Sequence, residues 1–247
     1  MRAYRPEAHA DVLRFMTEIF NRLEARLPRP RLTATPSGLY MRYQEQLIEQ
    51  AIILKLARVL SGLKAVQVLL DNGLSQEQGA IQRMVDEICE DIIFLSASKM
   101  QDDFTDLHKR YLQDFWSEEF DNPDPIKSQQ VRAMVPRKKI RAYIHRLFPD
   151  DNPARGIAAS QVLHKAYSGF VHAASPQVMD MYVGSPPRFH VEGMLGTPRM
   201  KGYQRDAWNY YYRGLLTIAH AAKALGDEEA FQLVFSYVQR IEAAETH

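Results

Sequence analysis

The chain is 247 residues long, 46% hydrophobic, and carries 31 basic against 30 acidic residues. That length and apolar share suit one sizeable hydrophobic core. A net charge of +1 excludes a bulk electrostatic pull toward nucleic acid or an anionic membrane, so any such contact needs a local patch. The single cysteine, Cys89, cannot build an internal disulfide framework and fits a reducing compartment. No apolar run reaches the ~20 residues of a membrane span. Residues 1–15 (MRAYRPEAHADVLRF) show no signal-peptide core, and the cytoplasm is the expected location.

The first helix is expected over about 7–27, where Val12, Phe15, Met16, Ile19, Phe20 and Leu23 recur at three- and four-residue spacing and make one apolar stripe. PRPRLTATPSG then breaks the chain. A second helix is expected over 39–70. Its apolar residues, from Leu47 to Leu70, cover more than one face and mark it as central. It stops at Asp71-Asn72-Gly73, whose Asn and Gly tolerate a left-handed backbone. Ser75 and Gln78 have capping-box spacing, and the helix they open runs in this reading through Ile81, Val85, Ile88, Ile92 and Leu95 to Phe115. A short turn between two long helices makes an antiparallel pair.

SEEFDNPDP (117–125) reads as an acidic loop, followed by a shorter helical stretch over 126–148 interrupted at Pro136. Asn152-Pro153 supplies an N-cap and a first-turn proline for a helix reaching His172. Residues 173–202 hold four prolines and four glycines and read as a loop of unusual length, the kind that borders a site. Two helices close the chain, 203–225 and 228–244, separated by Gly226-Asp227. No strand with sustained alternation is evident. The expected architecture is therefore all-α, a single domain over 1–247. It is a helical bundle of six to eight helices around the long antiparallel pair, with 117–153 as the place for any hinge or subdomain break.

Four strings hold residues that can do chemistry. In HKAYSGFVH, His164, Ser168 and His172 follow at i, i+4 and i+8, a polar stripe along one helix face. The two histidines sit about 12 Å apart along the axis, too far to share an ion. The plain alternative is that these groups satisfy one another in the core. In RMVDE, Arg83 and Glu87 are spaced to pair, with Glu90 and Asp91 beyond. A buried Arg here needs carboxylate partners, so an internal ion pair locking two helices competes with a catalytic role. The third string, YQRDAWNYYYRGLLTIAH, crowds aromatics around Tyr203, Arg205, Arg213 and His220, as a core stripe or as the wall of an anion pocket. The fourth, RKKIRAYIHR, is basic and suits either a solvated helix face or a phosphate-binding stripe. Cys89, among isoleucines and acids, is expected to be buried and inert. Zinc, phosphate-loop, dinucleotide and nucleophile-elbow patterns are absent. Glu-x-x-His pairs for a di-metal bundle are absent too, so neither a metal nor a cofactor is expected.

Arg83-x-x-x-Glu87 on one long helix, together with Tyr167-Ser168-x-x-Val171-His172 on a later one, resembles bacterial helical proteins of unknown function. Those proteins are related to the HEPN (higher eukaryotes and prokaryotes nucleotide-binding) superfamily, and the similarity spans roughly residues 40–225. It implies a defence- or stress-associated protein, commonly a homodimer, that cleaves RNA without metal or binds RNA or a nucleotide as a degenerate relative. On this resemblance His172, Arg83, Glu87 and Tyr167 are the catalytic candidates, and His164, Ser168, Arg213, His220 and Tyr203 the substrate-binding ones. The superfamily's motif pairs an Arg with a following His, and here Tyr167 stands where that Arg would be. Arg213-x₆-His220 has an acceptable spacing but Gly214 where a polar residue is expected. The competing function is a non-catalytic helical interaction or scaffold protein whose polar cluster is structural.

Overall fold

The computed structural model describes residues 6–132, 134–147, 162 and 165–243. The protein is an all-α bundle carrying two small hairpins, and helices make up well over half of the described residues. Helix α1 (Pro6–Glu24) leads to a hairpin of β1 (Arg31–Thr35) and β2 (Gly38–Arg42). Next come α2 (Ile48–Asp71), α3 (Ser75–Met100), α4 (Asp106–Trp116), a 3₁₀ turn at Pro125–Lys127 and α5 (Arg137–Leu147). Residues 165–171 are helical (α6). After them come α7 (Ser175–Met179), a second hairpin of β3 (Tyr182–Val183) and β4 (Arg188–Phe189), α8 (Met200–Ala224) and α9 (Glu228–Ala243).

The core lies where α1, α2, α3 and α8 meet, lined by fully buried Met16, Leu23, Ile52, Leu56, Leu63, Ile92 and Tyr211. The α1 stripe delivers Val12, Met16, Ile19 and Leu23 into it, as period-3.6 spacing requires. α2 and α3 turn tightly at Asn72 and at Gly73, whose φ of 72° is left-handed. α8 runs parallel to α3: Gln78 meets Tyr203, Asp86 meets Arg213 and Cys89 meets Thr217. No described helix is long and apolar enough to cross a membrane.

Several expectations are corrected. α2 begins at Ile48, because residues 38–42 pair with 31–35 as a strand. Their alternation is invisible to a burial argument, since Leu32, Leu39 and Met41 are all exposed. The helix expected to run unbroken over 75–115 is two, parted at 101–105, where Asp102 takes a φ of 50°. The expected box at Ser75 does not cap α3. Leu74 is the N-cap, and the Ser75 hydroxyl instead reaches the Met194 sulfur at 3.0 Å. Among the described residues of the stretch 126–148, helix is confined to the 3₁₀ turn at Pro125–Lys127 and to α5. The expected start at Asn152-Pro153 lies outside the described residues. At the last junction the reading holds: Gly226 has φ 68° and the Asp227 carboxylate accepts the Ala230 N–H at 3.0 Å.

The segment 173–199 is not structureless. It holds α7 and the second hairpin, and it docks on the α2–α3 turn through Met194 N–H to Gly73 O at 2.8 Å. Gly193 makes that approach with φ 127°, and a Cβ there would lie 2.4 Å from the Asn72 carbonyl oxygen. Gly193→Ala is therefore expected to destabilise the protein by about 2–4 kcal/mol through strain and lost docking. Urea denaturation reads it. Unchanged stability would mean that the segment does not pack on the turn.

Candidate functional site

Helix α3 is the polar spine of the bundle. At 3.6 residues per turn its polar side chains fall on several faces, and each face meets a different element. Toward α8 point Gln78, Gln82 and Asp86, all buried. The Gln78 amide donates to Tyr203 O at 3.2 Å, and Asp86 is paired with Arg213. Cys89, free and 1% exposed, shares a hydrogen bond with the Thr217 hydroxyl, and burial pushes its thiol up to about 12. A thiol held so far above neutral pH is inert.

Toward α5 and α2 point Glu90 and Asp91. Arg141 Nε donates to both Glu90 oxygens at 2.9 and 3.1 Å, and Arg137 spans Glu90 (2.9 Å), Asp91 and the Glu87 carbonyl. Lys55 of α2 reaches Asp91 at 2.8 Å and lies over the Phe115 ring. The side chains of Glu90, Asp91 and Arg141 are 12%, 9% and 10% exposed, so these charges meet largely without water. Burial and the Asp91 carboxylate together raise the Tyr111 phenol above its ordinary value. The i,i+4 spacing of Arg137 and Arg141 in RKKIRAYIHR is the sequence signal for this arrangement, since it turns both guanidiniums to one side.

At the rim of the α3–α8 seam, Arg83 Nε donates to Glu87 Oε1 at 3.3 Å. α6 closes this end. Phe170 lies over Gly79, where a Cβ would sit 2.6 Å from the ring, and meets Tyr203 edge-on at 6.2 Å. Tyr167 donates to Asp206 and contacts Tyr210, their rings 5.6 Å apart. Burial and Asp206 hold the Tyr167 hydroxyl above its ordinary range. Tyr203 in turn donates to Asp180 at 3.0 Å.

The structure thus joins Arg83 to Glu87, and separately Tyr167 to Asp206 and Arg213 to Asp86. His172 is exposed at the end of α6, its backbone N–H bonded to Ser168 O at 3.1 Å. Among the described residues no hydrogen bond or ion pair links its side chain to Arg83 or Glu87. Ser168 is half-buried, and His220 lies farther along α8 with Nδ1 2.8 Å from Leu216 O. His164 lies outside the described residues. Sequence reasoning passed over Asp206, an isolated acid in an aromatic run, because nothing local announces its Tyr167 partner 39 positions away. Among the described residues no group of three or more His, Cys, Asp or Glu is arranged to hold a metal ion. Comparisons with protein-family models, curated proteins and solved structures find no match for this chain.

Proposed function

We propose that this chain is a non-catalytic helical interaction protein in which the charges of α3 are structural. One observation carries the reading. Asp86, Glu87, Glu90 and Asp91 are each engaged by a cation of the same chain, and for three of them that cation comes from a different element. Such pairs fix which helices meet, because one carboxylate left without its partner in the interior is strongly destabilising. Phosphodiester cleavage without metal asks for the opposite, a cation aimed at open space beside a proton-transferring His. Here the Arg83 guanidinium is turned to Glu87, the Tyr167 proton is held by Asp206, and His172 faces solvent.

A second reading, a HEPN-like metal-independent ribonuclease acting as a homodimer, draws on one observation. α6, which ends at the exposed His172, rests on α3 at Gly79, one helical turn from Arg83. A second copy would then have to complete the site. His172→Ala separates the two. The structural reading expects no RNA cleavage by the purified wild-type chain and stability within about 0.5 kcal/mol of wild type, since the side chain is exposed. Cleavage by the wild type that vanishes in this variant, with the fold retained, would overturn it in favour of the ribonuclease.

A further inference from the structure

The β1–β2 hairpin is turned inside out. Successive strand residues point to opposite faces, so the cross-strand pairs Leu32–Met41 and Ala34–Leu39 share one face, and Thr33, Thr35, Tyr40 and Arg42 lie on the other. Against the usual rule, it is the polar face that meets the protein. Thr33, Thr35 and Arg42 are half-buried, the Gln44 amide donates to Thr33 Oγ1 at 2.7 Å, and Arg42 Nε donates to Glu118 Oε1 at 2.6 Å. The apolar face looks into solvent. Leu32 and Leu39 are each 65% exposed, Met41 is 56% exposed, and Ala34 is exposed as well. A two-stranded hairpin has little stability of its own in water, and a contiguous apolar face on one marks a surface that something else covers.

Charge decides what that cover is. Residues 25–44 hold four arginines, Arg26, Arg29, Arg31 and Arg42, and no acid. Arg29 and Arg31 are exposed and, among the described residues, neither has a carboxylate within ion-pair distance. Glu45, which feels the Arg31 charge, is engaged by the Gln50 amide at 2.7 Å. Arg26 and Arg42 pair with Asp227 and Glu118 but keep partly exposed side chains. A second copy of the chain fits this surface poorly. Face to face, two hairpins would bury four side chains from each, well below the ~1,200 Å² at the lower limit of a stable interface, and would draw like charges together. An anionic bilayer surface fits on both counts. It takes an apolar face into the boundary between headgroups and acyl chains without a matched partner surface, and its phosphates attract the flanking arginines. The long aliphatic stem of an arginine lets its guanidinium reach the headgroups from the other side of so thin an element.

We propose that the β1–β2 hairpin docks this protein on the surface of an anionic lipid bilayer, with Leu32, Leu39 and Met41 seated at the headgroup boundary and Arg29 and Arg31 held by lipid phosphates. The contact is peripheral. The hairpin is the local patch that a chain of near-neutral total charge needs for attraction to an anionic surface. The inference holds whether the α3 charges are structural or catalytic.

The test is co-sedimentation of the full chain with vesicles of phosphatidylglycerol and phosphatidylcholine in equal parts, and with vesicles of phosphatidylcholine alone. The expected result is partitioning onto the first that weakens with salt, and much weaker partitioning onto the second. Leu32→Ser/Leu39→Ser should lower the partition coefficient about ten-fold or more, and Arg29→Gln/Arg31→Gln by a similar factor. Lys64→Gln removes a charge from an exposed lysine of α2, about 24 Å along the helix from its first residue, and should partition as wild type does. The substituted side chains are all exposed, so the variants should keep the wild-type unfolding midpoint. A second measurement places the hairpin itself. Ser37→Cys carries a polarity-sensitive fluorophore at the exposed turn, where buried Cys89 does not compete for the label, and its emission should shift to the blue on the anionic vesicles. Absence of binding, equal binding to both kinds of vesicle, or binding indifferent to the hairpin variants overturns the proposal. Dimerisation in free solution that is lost in Leu32→Ser/Leu39→Ser, without vesicle binding, overturns it in favour of a second copy.

Discussion

Lowering the pH from about 6.5 to 4 should cost the folded protein several kcal/mol. Two histidines are buried neutral. His9 is 2% exposed, stacked on Tyr211 at 4.4 Å and on Trp208 at 5.5 Å, with a hydrogen bond to Gln67. His108 is fully buried, stacked on Phe94 at 4.0 Å, and its Nδ1 accepts the Thr105 N–H at 3.1 Å. Burial lowers both from 6.5 to about 4, outweighing the opposing pull of Asp71 on His9 and of Asp103 on His108. Between 6.5 and 4 the unfolded chain holds protons at these rings and the folded chain does not, so acid favours unfolding. The contribution is complete above 6.5, lost progressively as the pH falls to 4, and constant below that. At about 1.4 kcal/mol per pKa unit each ring accounts for about 3 kcal/mol. Urea titrations across this range should show a slope approaching two protons, reduced by one in His9→Gln and by one in His108→Gln. A stability independent of pH over this window would mean that the rings are solvated or charged in the native state.

Arg141→Ala should be the most damaging single substitution on α5, at about 3 kcal/mol. Glu90 loses both Nε contacts and keeps only Arg137, which is already shared with Asp91 and the Glu87 carbonyl. The neighbouring Lys138→Ala, on the solvent side of the same helix, should stay within about 0.5 kcal/mol. Chemical denaturation of the two variants reads the contrast. Equal effects would place Arg141 in water rather than against α3.

The bundle was legible in the sequence wherever one physical signal dominated. The α1 stripe, the all-round apolar α2 and the Asn72-Gly73 and Gly226-Asp227 junctions each declare themselves through period or backbone chemistry. The β1–β2 hairpin did not, because its apolar side chains stay exposed and its strand pairing is a cross-chain property. The break between α3 and α4 also escaped, since Gln101-Asp102-Asp103 is not a strong breaker and only its φ reveals the turn. Of the site candidates, Arg83–Glu87 could be read because both partners lie on one helix. Arg213–Asp86 and Tyr167–Asp206 join distant segments, and spacing carries no information about them.

The central claim is that the α3 carboxylates hold the bundle together rather than act on a substrate. A double-mutant cycle on Glu90 and Arg141, measured by equilibrium unfolding, tests it most directly. Glu90→Leu and Arg141→Met should each destabilise, while the pair together should cost less than the sum by about 2 kcal/mol or more, because Glu90→Leu strands Arg141, Arg141→Met leaves Glu90 only the Arg137 that it shares with Asp91, and the double change removes both charges. Additive effects within about 0.5 kcal/mol would show that the two charges do not depend on each other in the folded state, and would contradict a structural seam.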